Sequence, residues 1–219
     1  MGCMKYLIVI LMVFLGVVNA GTLAAQVLAQ NAADPRAATG VELRLRLGEH
    51  MATFYHPQGL VWGRSDASIR VVGFFDYTNP LDKRLFSDLP KLVEKHPELH
   101  IELRELPVRN ASSLRLARFA LATRMIHGEE GYRAMHLHLL RMLEVPSRHV
   151  LGLVAQEGRF DINRIEFAMD AAEITEQLQE NQHLYLSIGQ PQLPAFIAQD
   201  GFYSAVPNVH VLENLLFQR

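Results

Sequence analysis

The stretch IRVVGFF, residues 69 to 75, constrains the fold more than any other part of the chain. It is rich in β-branched and aromatic residues and reads as a buried strand. Phe86 to Lys95 follows with helical spacing, and IELREL, Ile101 to Leu106, reads as a second strand. Two strands joined through a helix form a right-handed crossover and lie parallel in one sheet. Downstream, Ala195 to Ala198 and Phe202 to Val206 predict two short strands around Asp200-Gly201, a favoured hairpin turn. A helix from about Asn208 to Phe217 closes the chain. Between the two halves, from about 111 to 188, segments such as LRLARFALATRMIH and YRAMHLHLLRML have helical patterning. The expected architecture is α/β: a mixed sheet with a large helical insertion between a strand-helix-strand half and a hairpin-helix half.

The 219 residues, 49% hydrophobic and 20% charged, suit one globular domain with an inserted subdomain. A formal net charge of -2 without a long basic run leaves no electrostatic footprint for nucleic acid.

Ahead of the domain, Lys5 precedes the apolar run Tyr6 to Val18, and Val18-Asn19-Ala20 offers small residues to a signal peptidase. Residues 1–20 therefore read as a secretory signal, with a mature start near Gly21 and a periplasmic or secreted product. The competing reading is an uncleaved anchor in the inner membrane, because about 20 apolar residues span a bilayer. The single cysteine, Cys3, lies before the apolar run and leaves with a cleaved signal. Residues 21–40, including NAADPRAATG, read as a linker. In the extension 41–58, Val41, Leu43, Leu45 and Leu47 alternate as in a strand, whereas Leu43, Leu47, Met51 and Phe54 share a helical face; the helix is favoured.

From Gly59 to Arg219 the order of elements and two local motifs resemble the DsbA-type branch of the thioredoxin superfamily, the exported thiol-disulfide oxidoreductases and isomerases. LVWGRSDASIRVVGFFDY is similar to the approach to that family's central strand, and LPAFI is similar to its Thr-Pro-Thr-Phe segment. The resemblance implies a thioredoxin-like domain over 59–219 and makes Pro194, after Leu193, the candidate cis-proline. It places the family's Cys-x-x-Cys on Asn79, Pro80, Leu81 and Asp82, so both reactive positions are substituted. Leu193 stands where Thr or Val is usual.

These four residues also make a good helix start by themselves. Asn79 can cap, Pro80 suits the first helical position, and Asp82 puts a carboxylate near the positive end of the dipole. Where the thiol enzymes stabilise a thiolate at this helix end, the chain carries a carboxylate. Asp76 reads as a hydrogen-bonded turn residue, with a buried acid of raised pKa as the alternative. His136 and His138, two apart, do not share a helical face, and no metal or cofactor is expected.

Two classes of function follow from the resemblance. A redox-inactive binding protein would hold extended polypeptide beside the cis-proline loop through Tyr77, Leu81, Gln192, Leu193 and Ala195, serving as a chaperone, adaptor or assembly factor in the cell envelope. Alternatively, an enzyme of the same fold would use non-cysteine chemistry such as glutathione transfer, with Thr78 the nearby hydroxyl, or the chain is a structural subunit of an envelope complex. The binding reading is preferred, because no pairing of base and nucleophile is evident.

Overall fold

The computed structural model describes residues 58–198 and 201–217. The expected signal, linker and almost all of the 41–58 extension, together with Asp200 of the expected hairpin turn, lie outside the described residues.

Five strands form one sheet in the order β1-β3-β2-β4-β5, with β1 at Leu60–Trp62, β2 at Ile69–Phe75, β3 at Leu99–Glu105, β4 at Ala195–Ala198 and β5 at Gly201–Tyr203. The first helix, α1 (Pro80–Lys95), is the crossover between β2 and β3, which run parallel from Ile69↔Leu99 to Phe75↔Glu105. The other pairings are antiparallel. Helices α2 (Ala111–Arg141), α3 (Arg148–Glu157), α4 (Ile162–Ala168) and α5 (Ala172–Ser187) make up the insertion, and α6 (Val209–Phe217) ends the described chain. The strand-helix-strand unit, the insertion and the closing helix are where the sequence patterns put them, but the second hairpin strand, expected over Phe202 to Val206, is Gly201–Tyr203, since only Gly201, Phe202 and Tyr203 pair with β4. The short strand β1 was not expected.

The core explains the pattern of β2. Phe75 packs against Phe86 of α1 and Phe86 stacks on Phe196 of β4, with ring centroids 5.1 and 5.4 Å apart. Gly73 lies between them, where an added Cβ would come within 2.9 Å of the Phe196 ring. A side chain there would force the rings apart, so the glycine inside this strand is a packing requirement. On the opposite face Phe74 meets Tyr185 of α5.

β3 is buried along its whole length although it reads LHIELRE. Two of its charges, Glu102 and Arg104, are tolerated because they are paired. Arg104 Nε donates to Glu102 Oε1 at 2.9 Å, and the backbone N–H groups of Gln58 and Gly59 donate to the same oxygen at 2.9 and 3.0 Å. A buried carboxylate with these three donors keeps compensation for the solvation it has lost.

The helix α2 is broken at Gly128, whose φ of 69° and ψ of -168° no helical residue adopts. The φ lies in the region open to glycine at little cost. Among the described residues no helix is long and apolar enough to cross a membrane.

Candidate functional site

The end of β2 and the start of β4 lie side by side, because Phe74 pairs with Ala195. This register brings the loop leading into α1, residues 76–82, to the same end of the sheet as the segment Gln192 to Pro194. The peptide bond between Leu193 and Pro194 is cis.

The loop is built around two carboxylates. Asp76 is buried and accepts four hydrogen bonds. Its Oδ1 receives the Thr78 N–H and the Thr78 hydroxyl, both at 2.8 Å, and its Oδ2 receives the N–H groups of Val108 and Arg109 at 3.1 and 3.2 Å. Asp76 thereby ties the start of the loop to the connection between β3 and α2, as the turn reading anticipated. The Thr78 hydroxyl also lies 2.9 Å from Ser113 Oγ near the start of α2. Ser113 in turn belongs to a capping box with Asn110.

At the helix start each residue takes the expected place. Asn79 is the N-cap, its Oδ1 accepting the Leu81 N–H at 3.1 Å, and Pro80 occupies the first turn. Asp82 is fully buried; its Oδ2 accepts the Asp76 N–H at 2.6 Å and its Oδ1 accepts the Asn79 amide at 3.1 Å. Burial pushes the Asp82 carboxyl up to about 8, and the Asp76 charge adds to the rise, while the accepted hydrogen bonds and Arg109 oppose it. Asp82 is mostly protonated at neutral pH. Asp82 therefore does not bring the charged carboxylate expected at this helix end, because desolvation outweighs the pull of the dipole.

The five residues proposed for polypeptide contact do not share one surface. Leu81 is 42% exposed and Gln192 is exposed, but Leu193 is 8% exposed, and Tyr77 and Ala195 are buried. Tyr77 turns inward, its hydroxyl 2.9 Å from His136 Nδ1 and its ring edge-on to Phe75. Its apolar character draws it into the core, so it lends no contact area to a groove. The segment contributes backbone instead. Gln192 is held by Ser204 and Ala205, and the Pro194 carbonyl accepts from Val206. Between them, the N–H and C=O of Leu193 have no hydrogen-bonding partner among the described residues.

Sequence patterns did not indicate the rest of the rim. Lys83 Nζ donates to the Met142 carbonyl at 2.7 Å, and an Arg115 guanidinium nitrogen donates to the Pro146 carbonyl at 2.6 Å. The first bond ties the connection after α2 to the first turn of α1, and the second ties it to the first turns of α2. Leu143, 99% exposed, lies on that connection, and Val108 and Leu114 are exposed near Asp76 and Ser113. Their neighbourhood depends on side-chain hydrogen bonds spanning 31 and 59 residues, for which the sequence has no local signal.

His136 is fully buried against Phe75 and Tyr77, and burial holds its imidazole down at about 3, so it is neutral. His138 is only partly buried. No group of three or more His, Cys, Asp or Glu side chains suited to a metal ion occurs among the described residues.

No protein-family model and no curated protein matches the chain. Solved structures do. A thioredoxin-like oxidoreductase from Silicibacter pomeroyi DSS-3 is similar at 26% identity and a TM-score of 0.68, over 75% of this chain and 94% of that one. The thiol-disulfide exchange protein alpha-DsbA2 from Wolbachia pipientis is similar at 18% identity and a TM-score of 0.70, over 80% and 95%. A periplasmic thioredoxin-like protein from Salmonella enterica serovar Typhimurium is similar at 25% identity and a TM-score of 0.64, over 77% and 94%. The chain has the thioredoxin-like fold of these DsbA-like proteins and, with Cys3 as its one cysteine, no Cys-x-x-Cys.

Proposed function

We propose that the chain is an exported, redox-inactive thioredoxin-fold protein that holds extended polypeptide, acting as a chaperone, adaptor or assembly factor in the cell envelope. The observation that carries this reading is the Leu193 backbone beside the Asn79–Asp82 turn, whose N–H and C=O have no hydrogen-bonding partner among the described residues. An open N–H and C=O at the end of a sheet can pair with an extended chain, and backbone pairing requires no thiol. Leu81, exposed on the adjoining turn, supplies apolar contact. Export is supported by the N-terminal apolar run and by the periplasmic description of the Salmonella protein.

The enzyme alternative gains nothing from the geometry. Thr78 donates its hydroxyl hydrogen to Asp76, and that carboxylate already accepts three other donors. It therefore has little capacity left to act as a base. Thiol-disulfide exchange needs an attacking thiolate, and Asn79 and Asp82 occupy its place.

The reading is tested by binding a permanently unfolded, carboxymethylated polypeptide to the purified protein, followed by fluorescence anisotropy. Leu81→Asp should weaken binding about tenfold, the loss of roughly 1.4 kcal/mol of apolar contact, while leaving the circular dichroism unchanged. Equal binding by the folded variant would remove the groove from consideration. In parallel, insulin reduction should not exceed the buffer rate, and measurable glutathione transfer would favour the enzyme alternative.

A further inference from the structure

Beneath the loop lies a second polar cluster that the binding reading does not use. Glu105, the last residue of β3, is buried, and one carboxyl oxygen, Oε1, accepts the Tyr132 hydroxyl of α2. The other oxygen, Oε2, is buried without a partner among the described residues. Asn181 of α5, also fully buried, donates its amide to the Glu105 backbone carbonyl at 2.9 Å and leaves its own Oδ1 unpartnered. One turn along α2 from Tyr132, His136 bonds Tyr77 through Nδ1 and has no partner on Nε2. Three buried polar atoms without partners on residues linked in this way are unusual, since such atoms are nearly always satisfied.

The cluster joins three elements of the insertion and sheet to the loop. Tyr132 and His136 come from the half of α2 beyond the Gly128 break, Asn181 from α5, Glu105 from β3, and Tyr77 stands directly behind Asp76. We propose that Glu105 is a proton-binding site that controls how firmly the distal half of α2 is seated on the sheet and, through the His136–Tyr77 contact, how firmly the loop at residues 77–82 is held.

Protonated, the Glu105 carboxyl is neutral and suits a dry interior. Ionised, it carries a charge with one hydroxyl donor on Oε1 and none on Oε2, which is relieved when α2 lifts and water enters. The charged groups acting on it are both on α2: Arg124, which favours the ionised form, and Glu129, which opposes it. Tyr132 and Tyr77 face it as neutral phenols, held from ionising first by burial and then by its charge, and α5 brings the uncharged Asn181. His136 stays neutral. Glu102 and Arg104 are paired with each other, at the positions of β3 preceding it.

Burial lifts the Glu105 carboxyl from 4.5 to about 7. A folded value above the unfolded one stabilises the seated state fully below the ordinary carboxylate range, and this contribution is lost as pH rises through about 7. With 4.5 for the opened state and about 7 for the seated one, opening becomes about tenfold more frequent between pH 6 and pH 8.

Hydrogen exchange of the purified protein, corrected for the intrinsic pH dependence of amide exchange, reads this directly. Protection at residues 77–82 and 131–140 should fall about tenfold from pH 6 to pH 8. Glu105→Gln should remove that dependence, and Tyr132→Phe, which deletes the donor favouring the ionised form, should move it to higher pH. An unchanged pH dependence in Glu105→Gln overturns the proposal. Should that variant not fold, carbon-13 titration of the Glu105 carboxyl in the parent decides: a midpoint near 7 that rises in Tyr132→Phe supports the proposal, and a midpoint near 4.5 overturns it. None of these measurements requires a polypeptide ligand, so the inference stands or falls separately from the binding function.

Discussion

Two buried carboxyl groups lie close together in the chain's architecture and are organised in opposite ways. Asp76 accepts four hydrogen bonds, two of them from Thr78 two residues away, whereas Glu105 has one side-chain donor, contributed by a residue 27 positions along the chain. Asp82 is an intermediate case, bonded within its own turn yet pushed up to about 8 by burial. Local sequence supplies two of the Asp76 donors through Thr78, and the other two arrive as backbone N–H groups of Val108 and Arg109 on the single connection packed against the turn. Local sequence cannot arrange donors that arrive on separate helices, and the Glu105 cluster consequently keeps unpartnered atoms.

The largest effect that would break this contrast is expected at Asp76. Asp76→Ala removes the acceptor shared by four donors; the Val108 N–H keeps the Leu106 carbonyl and the Thr78 hydroxyl keeps Ser113, so the Thr78 and Arg109 N–H groups lose theirs, which should cost about 4 kcal/mol in denaturant unfolding at roughly 1–3 kcal/mol for each unsatisfied group. A loss below about 1 kcal/mol would mean that water replaces the carboxylate and that the loop is not a closed unit.

Asp82 should show itself through pH. Its folded value lies above the ordinary carboxylate range, so its contribution to stability is complete below about 4 and is lost as pH rises through about 8. Asp82→Asn should therefore gain stability relative to the parent as the solution becomes alkaline, by about 3 kcal/mol at pH 9 after allowance for relaxation around the ionised group. Thermal melts of both proteins from pH 4 to pH 9 check this, and parallel curves would show that Asp82 is ionised throughout.

Tyr77 joins the two regions, and a smaller effect is expected there. Tyr77→Phe keeps the ring against Phe75 but removes the hydroxyl that meets His136, which should cost about 1–2 kcal/mol, with increased hydrogen exchange in the distal half of α2. The smallest effect belongs to the cap. Asn79→Ala should destabilise by about 1 kcal/mol in the same unfolding experiment, the usual contribution of such a cap.

Much of the fold was legible because its signals are local. β2 keeps the bounds read from IRVVGFF, and the Asn79 cap and the Pro80 start of α1 follow from four adjacent residues. β3 begins and ends one to two residues earlier than its pattern suggested, at Leu99–Glu105, since its register is set by pairing with Ile69 to Phe75. The three-residue strand β1 has no periodicity to detect and exists through its pairing with Leu103, Glu102 and Ile101. The site was legible only in part. Leu81 is exposed and the bond before Pro194 is cis, but Tyr77, expected at the surface, lies in the core, where the insertion brings His136 to its hydroxyl.

The sequence by itself determined the strand-helix-strand unit, the helix start at Asn79 and the absence of a Cys-x-x-Cys, since each depends on neighbouring residue types alone. Tertiary structure alone decided that Asp82 is mostly neutral near pH 7, that Tyr77 faces inward, that the Leu193 backbone has no hydrogen-bonding partner among the described residues, and that Glu105 is buried against Tyr132 and Asn181. Burial and donor supply depend on groups that meet only when distant segments pack. Desolvation in that packed interior outweighs the preference of a helix start for a charged carboxylate.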